Sequence, residues 1–156
     1  MKSILFVCAA NICRSPTLAA TFHHLVTQKG QSNKFRIDSC GIGWFHVGER
    51  PDPRAFEAAK KKGILIDHRA QQFREEFFET FDLILTVEPV ITEQLELRTK
   101  KQEHQQKIRL VTDFSSKFKG QPILDPYYMN EGGFDEMMEM ILDACKGLLE
   151  TLINRQ

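Results

Sequence analysis

"SILFVCAANICRSP" (3–16) decides how this chain is built. Ser3 to Cys8 is an apolar run that stops abruptly at polar residues, the pattern of a strand buried on both faces. A short turn follows. Ser15 then reads as a helix N-cap with Pro16 in the first helical position. Leu18, Phe22, Leu25 and Val26 recur on one helical face, and Gly30 ends the helix.

The same alternation continues outward. "FRIDSCG" (35–41) reads as a strand, and "DPRAFEAAKKKG" (52–63) as a capped helix closed by Gly63. "DLILTV" (82–87) is another apolar strand, with a helix predicted over 90–100 and a fourth strand at "KIRLVTDF" (107–114). From 134 to 152, Met137, Met138, Ile141, Leu142, Cys145, Leu148 and Leu149 form one stripe of a long amphipathic helix. These elements predict an α/β fold: a single domain over 1–156, built as a doubly wound four-stranded parallel sheet with helices on both faces. Ligands in such folds sit at the carboxyl ends of the strands, where Cys8 lies.

Lys plus Arg and Asp plus Glu balance at 21 each, so no long-range pull toward nucleic acid or an anionic membrane is expected. No stretch reaches the ~18 apolar residues of a membrane span. "MKSILFVCAA" superficially resembles a signal peptide, but its apolar run is short and leads into "NICRS". Val7, not a small residue, precedes Cys8. The expected compartment is therefore cytoplasmic, with export by a route lacking a signal peptide left open. Cys8, Cys13, Cys40 and Cys145 match neither C-x-x-C nor a zinc cluster, and the five histidines form no companion set. No metal and no cofactor are expected.

The turn from Cys8 to Arg14 is built as an anion cradle. A short loop feeding a helix start aims several backbone N–H groups into one concavity, with the helix dipole behind them. Arg14 can clamp two oxygens of a bound phosphate through its planar fork. The same field favours the thiolate of Cys8, an in-line nucleophile toward phosphorus. A proton for the departing oxygen is available from "ILDPYY" (123–128), where Pro126 holds Asp125 away from helix. Tyr127 and Tyr128 are the chain's two tyrosines and could wall a pocket for an aromatic group. A Walker-type nucleotide loop is excluded, because no G-K-[ST] follows.

Taken together, "VCAANICRSP" (7–16) and "DPYY" (125–128) resemble the low-molecular-weight protein tyrosine phosphatase family, as do "DSCGIGWFHVGERPDPRA" (38–55) and "GILIDHRAQQF" (63–73). The resemblance implies hydrolysis of phosphotyrosine in protein substrates through a cysteinyl-phosphate. It makes Cys8 the nucleophile, Arg14 the phosphate clamp and Asp125 the general acid and base. It assigns the backbone of Ala9, Ala10, Ile12 and Cys13 to the phosphate loop, and Asn11, Ser15, Ser39 and His68 to a polar network behind it. Ile12, Phe45, Tyr127 and Tyr128 would line the slot for the substrate ring. Cys13 would pair reversibly with the nucleophile under oxidation. The implied assembly is a monomer or weak homodimer.

Ala10 stands where the family commonly has glycine, so strain is expected if that position takes positive φ. Cys40, Ile42 and Phe45 also depart from the usual pattern and bear on substrate preference. Duller readings exist for the polar residues. Asn11 could simply serve a turn, Ser15 a cap, Ser39 a strand end, and His68 the surface beside Asp67. His104, in the polar stretch "TKKQEHQQK" (99–107), reads as solvated. Three other functions fit the cradle. A phosphoarginine phosphatase would favour a small polar residue at Ile12. A thiol-dependent arsenate reductase would need a resolving cysteine pair that 81–95 lacks. A non-catalytic phosphate-binding module would need Cys8, Arg14 or Asp125 to be missing.

Overall fold

A computed structural model describes residues 1–128 and 132–154. Its centre is β1 (Lys2–Cys8), in which Ile4, Leu5, Phe6 and Val7 have no exposed surface. A strand this apolar on both faces needs neighbours on both edges and layers above and below. Its neighbours are β2 (Phe35–Gly41) and β3 (Leu83–Thr86), and the edge strand β4 (Ile108–Leu110) pairs with β3. All pairings are parallel and the spatial order is β2-β1-β3-β4, the doubly wound arrangement expected. The order reverses between β1 and β3. The loops that leave these two strands therefore open a crevice at their carboxyl ends.

Helix α1 (Arg14–Gln28) packs on β1 and β2 and against the long C-terminal helix, while α4 (Pro89–Glu96) packs on β3 and β4. Phe22 of α1 sits between Phe6 and Phe35, with ring centroids 6.0 and 5.4 Å away. Burying each such ring contributes about 2–3 kcal/mol. Helix α2 (Pro53–Lys60) is capped by Asp52, whose carboxylate accepts from the Arg54 amide at 2.8 Å. Short helices α3 (Phe77–Thr80) and α5 (Gln102–Gln105) flank β3 and α4 in sequence, and α6 (Gly132–Asn154) closes the chain.

The structure departs from the sequence expectations in four places. The strand predicted over 107–114 stops at Leu110, and Val111–Phe114 form a 3₁₀ turn. Pairing ends at Thr86, which opposes Leu110: the next residue, Val87, is bonded instead to Val7 O and to the Ile123 N–H, at 3.2 and 2.8 Å. The helix predicted over 90–100 covers Pro89–Glu96. Ser15 does not cap α1. The helix already begins at Arg14, Cys13 holds the cap position without a side-chain bond, and the Ser15 hydroxyl is used elsewhere. His104 is buried rather than solvated. Its ring stacks on Phe78 at 5.0 Å, while Nδ1 meets Thr99 and Nε2 meets Glu79 at 2.6 Å. Stacking on the buried Phe78 ring takes it out of solvent within a stretch that is otherwise hydrophilic.

Where α6 crosses the 111–114 turn, backbone meets backbone. A Cβ on Gly147 would lie 1.7 Å from the Phe114 carbonyl oxygen, so only glycine fits without movement. Helix propensity alone favours Gly147→Ala by about 1 kcal/mol, whereas forcing a methyl into packed backbone costs about 1–3 kcal/mol. The clash should win. Urea denaturation of Gly147→Ala should show a net stability loss of up to about 2 kcal/mol; a gain would contradict this close packing.

Candidate active site

The loop between β1 and α1 runs over residues 9–13, and the β2 end lies against it. A Cβ on Gly41 would come within 2.9 Å of Ala9 O and Ala10 C, so this strand end must be glycine for the loop to pass. Ile42 N–H and Gly43 N–H donate to Cys8 O and Ala9 O at 2.9 and 2.8 Å. On the opposite side, Asp52 N–H donates to Ile12 O at 2.7 Å. The loop is thus gripped from β2 and from the start of α2. Asn11 carries φ of 60°, the one non-glycine residue at positive φ among those described. Asparagine tolerates this conformation better than most residues. Ala10 is spared it, and the strain anticipated there does not arise.

The Asn11 side chain organises the ground beneath the loop. Gln71 N–H, which can only donate, meets Asn11 Oδ1 at 2.9 Å, so the amide nitrogen must face the other way. Asn11 Nδ2 donates to Ser15 Oγ at 2.8 Å and to Ser39 Oγ at 3.0 Å. Having accepted there, Ser15 has its own proton to give. The nearer acceptor is Cys8 Sγ at 2.9 Å, with Cys40 O at 3.3 Å. Asn11 N–H adds a second donor to the Cys8 sulfur at 3.2 Å. His68 Nε2 lies 2.7 Å from Asn11 Oδ1, an acceptor, and therefore carries a proton; Ser39 Oγ is 3.2 Å away. Ser39, Ser15 and Asn11 are essentially inaccessible to water.

The two loop cysteines are treated oppositely. Cys8 receives an amide and a hydroxyl. Cys13 donates to the Met137 thioether at 3.6 Å, and burial, followed by the fields of Cys8 and Asp125, drives its thiol well above the ordinary value. Cys13 is therefore a neutral thiol. Cys40 is raised by burial as well. All four cysteines are unpaired thiols.

Arg14 opens α1 with 3% of its surface exposed. Its Nη1 donates to Glu88 and to Ile123 O at 3.2 Å, and Nη2 reaches Asp125 Oδ2 at 3.5 Å. Burial alone would lower its basicity. Cys8, Glu88 and Asp125 outweigh it, so the guanidinium is held more firmly charged than usual. Asp125 Oδ1 also accepts from Tyr127 N–H at 3.2 Å. A cavity of about 270 Å³ opens here, lined by Cys8, Ala9, Ala10, Ile12, Cys13, Arg14, His46, Asp125 and Tyr127. A larger groove of about 560 Å³ over α1 and residues 63–68 contains neither Cys8 nor Arg14. A converging thiol group, guanidinium and carboxylate, rather than size, mark the smaller one.

Of the expected ring-slot residues, Ile12 and Tyr127 line this cavity. Phe45 does not. It is 76% exposed and stacked on Trp44 at 4.6 Å, while the next residue, His46, faces the cavity. The Tyr128 side chain lies outside the described residues. Sequence reasoning missed Glu88, Gln71, His46 and Gly41. Glu88 was findable, since it directly follows the "DLILTV" (82–87) stretch beside the point where the sheet order reverses. Gln71 acts through its backbone N–H on Asn11 and through its side-chain amide on Ser39 O at 2.9 Å, contacts between distant segments that leave no local signal.

Burial places His68 below its ordinary value, with Asp38 and Asp67 opposing. The unfolded chain therefore takes up the proton first. The stability contributed by neutral His68 is complete above about 6.5 and falls as pH drops through that value toward the folded one. The stability difference between the native chain and His68→Gln, followed by urea midpoints, should narrow as pH falls below about 6.5. A difference that widened would contradict burial of the neutral ring.

The sequence model of the family described as "Low molecular weight phosphotyrosine protein phosphatase" matches residues 3–156. A relative of that name from Rattus norvegicus is 39% identical over 150 residues, covering 96% of this chain and 94% of the relative. The crystal structure of protein tyrosine phosphatase from Entamoeba histolytica superposes with a TM-score of 0.94 at 30% identity, covering 99% and 98% of the two chains. The Drosophila arginine phosphatase superposes at 0.89 with 28% identity over 97% and 98%. Family match, sequence identity over the whole length and the parallel sheet with its strand-end loop agree: the chain belongs to the low molecular weight phosphotyrosine protein phosphatase family.

Proposed function

We propose that this chain hydrolyses phosphotyrosine in protein substrates, with Cys8 as nucleophile, Arg14 as phosphate clamp and Asp125 as proton donor and acceptor. The observation that carries the reading is the pair of donors, Asn11 N–H and Ser15 O–H, aimed at Cys8 Sγ at the floor of the cavity. Both donors hold the sulfur as an acceptor, the role that a sulfur attacking phosphorus must play. The loop amides of residues 9–13 and the first turn of α1, which no side chain caps, supply the anion cradle. Arg14 lines the same cavity with its fork oriented by Glu88 and Ile123 O.

In the first step the Cys8 sulfur attacks phosphorus, forming S–P as the bond from phosphorus to the tyrosine oxygen breaks. Asp125 gives its proton to that leaving oxygen. In the second step water attacks phosphorus, Asp125 takes the water's proton, and the S–P bond breaks to release inorganic phosphate and restore the thiolate. Ser39 and His68 hold Asn11, and Asn11 holds Ser15. Ile12 and Tyr127 give the cavity two apolar walls for a flat ring. Cys13, a neutral thiol five residues from Cys8, is the proposed partner of the nucleophile under oxidation. The proposed assembly is a monomer or weak homodimer. The proposed setting is the cytoplasm, where a thiol nucleophile stays reduced. No helix among the described residues is long and apolar enough to cross a membrane.

A peptide panel tests substrate and nucleophile together. Matched peptides carrying phosphotyrosine, phosphoserine or phosphoarginine should differ, with phosphotyrosine favoured at least about tenfold in kcat/KM, since the cavity walls reward a ring. Preference for phosphoarginine would replace the proposed substrate by the second reading on this cradle. Cys8→Ser should turn over none of them yet retain inorganic phosphate binding, because the amides remain. Turnover by that variant would remove Cys8 from the role.

A further inference from the structure

Asp125 sits on an exposed segment, and the two bonds its carboxylate accepts, from Arg14 and Tyr127 N–H, are long at 3.5 and 3.2 Å. An acid delivered to a leaving oxygen must be placed more firmly than that. Arg54, in the first turn of α2, reaches across to this segment. Its Nη2 donates to Tyr127 O at 3.2 Å, and its guanidinium lies 5.3 Å from the Tyr127 ring centroid and 4.7 Å from that of Phe134. Arg54 therefore holds the residue whose amide binds Asp125, and holds it by both backbone and ring.

The other end of this brace is fixed as well. Asp52 accepts from Arg54 Nε at 3.1 Å and from Nη2 at 2.9 Å. Burial pushes the Asp52 carboxyl upward, but the bonds from the Arg54 guanidinium and amide outweigh it and leave it below the ordinary carboxylate value. Asp52 is 7% exposed, and its own N–H is the group that donates to Ile12 O in the phosphate loop. One two-residue unit at the head of α2 thus touches both halves of the site. Its amide holds the loop carrying the nucleophile, and its partner Arg54 holds the segment carrying the acid.

We propose that Arg54, anchored by Asp52, is a positioning residue that sets Asp125 in register with the phosphate loop. This rests on the reading of Asp125 as proton donor and goes beyond it by naming what places the donor. A planar fork suits the task, because it can meet Asp52 and Tyr127 O at once while lying over two rings; an ammonium cannot.

The test uses the whole chain and two aryl phosphates. Departure of 4-nitrophenolate needs little help from an acid, whereas departure of phenolate needs much. kcat/KM reports the step that expels the leaving group. Asp125→Asn should therefore lose far more activity on phenyl phosphate than on 4-nitrophenyl phosphate. Arg54→Gln should show the same asymmetry in smaller measure, about tenfold on phenyl phosphate and about twofold or less on the nitro compound. Arg54→Lys should follow it, since the charge survives and the fork does not. Binding of inorganic phosphate should be unchanged in both Arg54 variants. In the double variant with Asp125→Asn, Arg54→Gln should cost nothing further on phenyl phosphate, because both act through one carboxyl.

A loss equal on both substrates, or one that multiplies with Asp125→Asn, would overturn the proposal and leave Arg54 a merely stabilising residue. If Asp125→Asn shows the asymmetry and both Arg54 variants lack it, the brace fails while the acid stands. If Asp125→Asn itself lacks the asymmetry, both fail.

Discussion

A single backbone amide orients the chemistry of this protein. Gln71 N–H can only donate, and by donating to Asn11 Oδ1 it turns the Asn11 amide nitrogen toward Ser15 and Ser39. Ser15 must then accept from Asn11, and its remaining proton goes to the nearer acceptor, the Cys8 sulfur. Reverse that carboxamide and two donors would face each other at Gln71. The network is buried, where an unmatched polar group costs about 1–3 kcal/mol, so the alternative is closed by energy as well as by geometry. The direction of a proton at the Cys8 sulfur is thus decided by a residue more than sixty positions away in sequence.

The fold makes that convergence possible. In a parallel sheet ordered β2-β1-β3-β4, the carboxyl ends of the central strands and the crossover segments after them meet on one edge. β1 delivers Cys8, β2 delivers Ser39 and the glycine that lets the loop pass, and the segment following β3 delivers Glu88 to the back of Arg14. The 68–71 segment then runs close enough to supply His68 and Gln71. None of these strands is specialised for catalysis along its length. Their apolar interiors hold the sheet, and only their last residues reach the candidate site.

Much of this was legible in the sequence, for identifiable reasons. The buried β1 strand, the loop and the helix after it announce themselves because apolar run, turn and helical period succeed one another within some twenty residues. Cys8, Arg14 and Asp125 stand at positions where the residue type alone implies chemistry. What stayed hidden depends on contacts between distant segments. The end of β4 is set by Val87, which bonds to Val7 and Ile123 in place of β4, not by the residues of 107–114. Ser15 looks like a cap in isolation, and only the approach of Asn11 and Cys8 gives its hydroxyl another use. His104 is surrounded by polar neighbours in sequence and by Phe78 and Glu79 in space. Phe45 reads as a pocket wall, yet its stacking on Trp44 leaves the cavity to His46.

The account turns on phosphorus passing through one sulfur. The most direct measurement is acid quenching during turnover of 4-nitrophenyl phosphate by Asp125→Asn, in which activation of water is slowed, followed by peptide mass analysis. A phosphoryl group bonded to Cys8, formed as fast as the phenol is released and absent without substrate, is the predicted result. Phenol release with an unmodified Cys8 at every quench time, or a phosphoryl group on another residue, would contradict it.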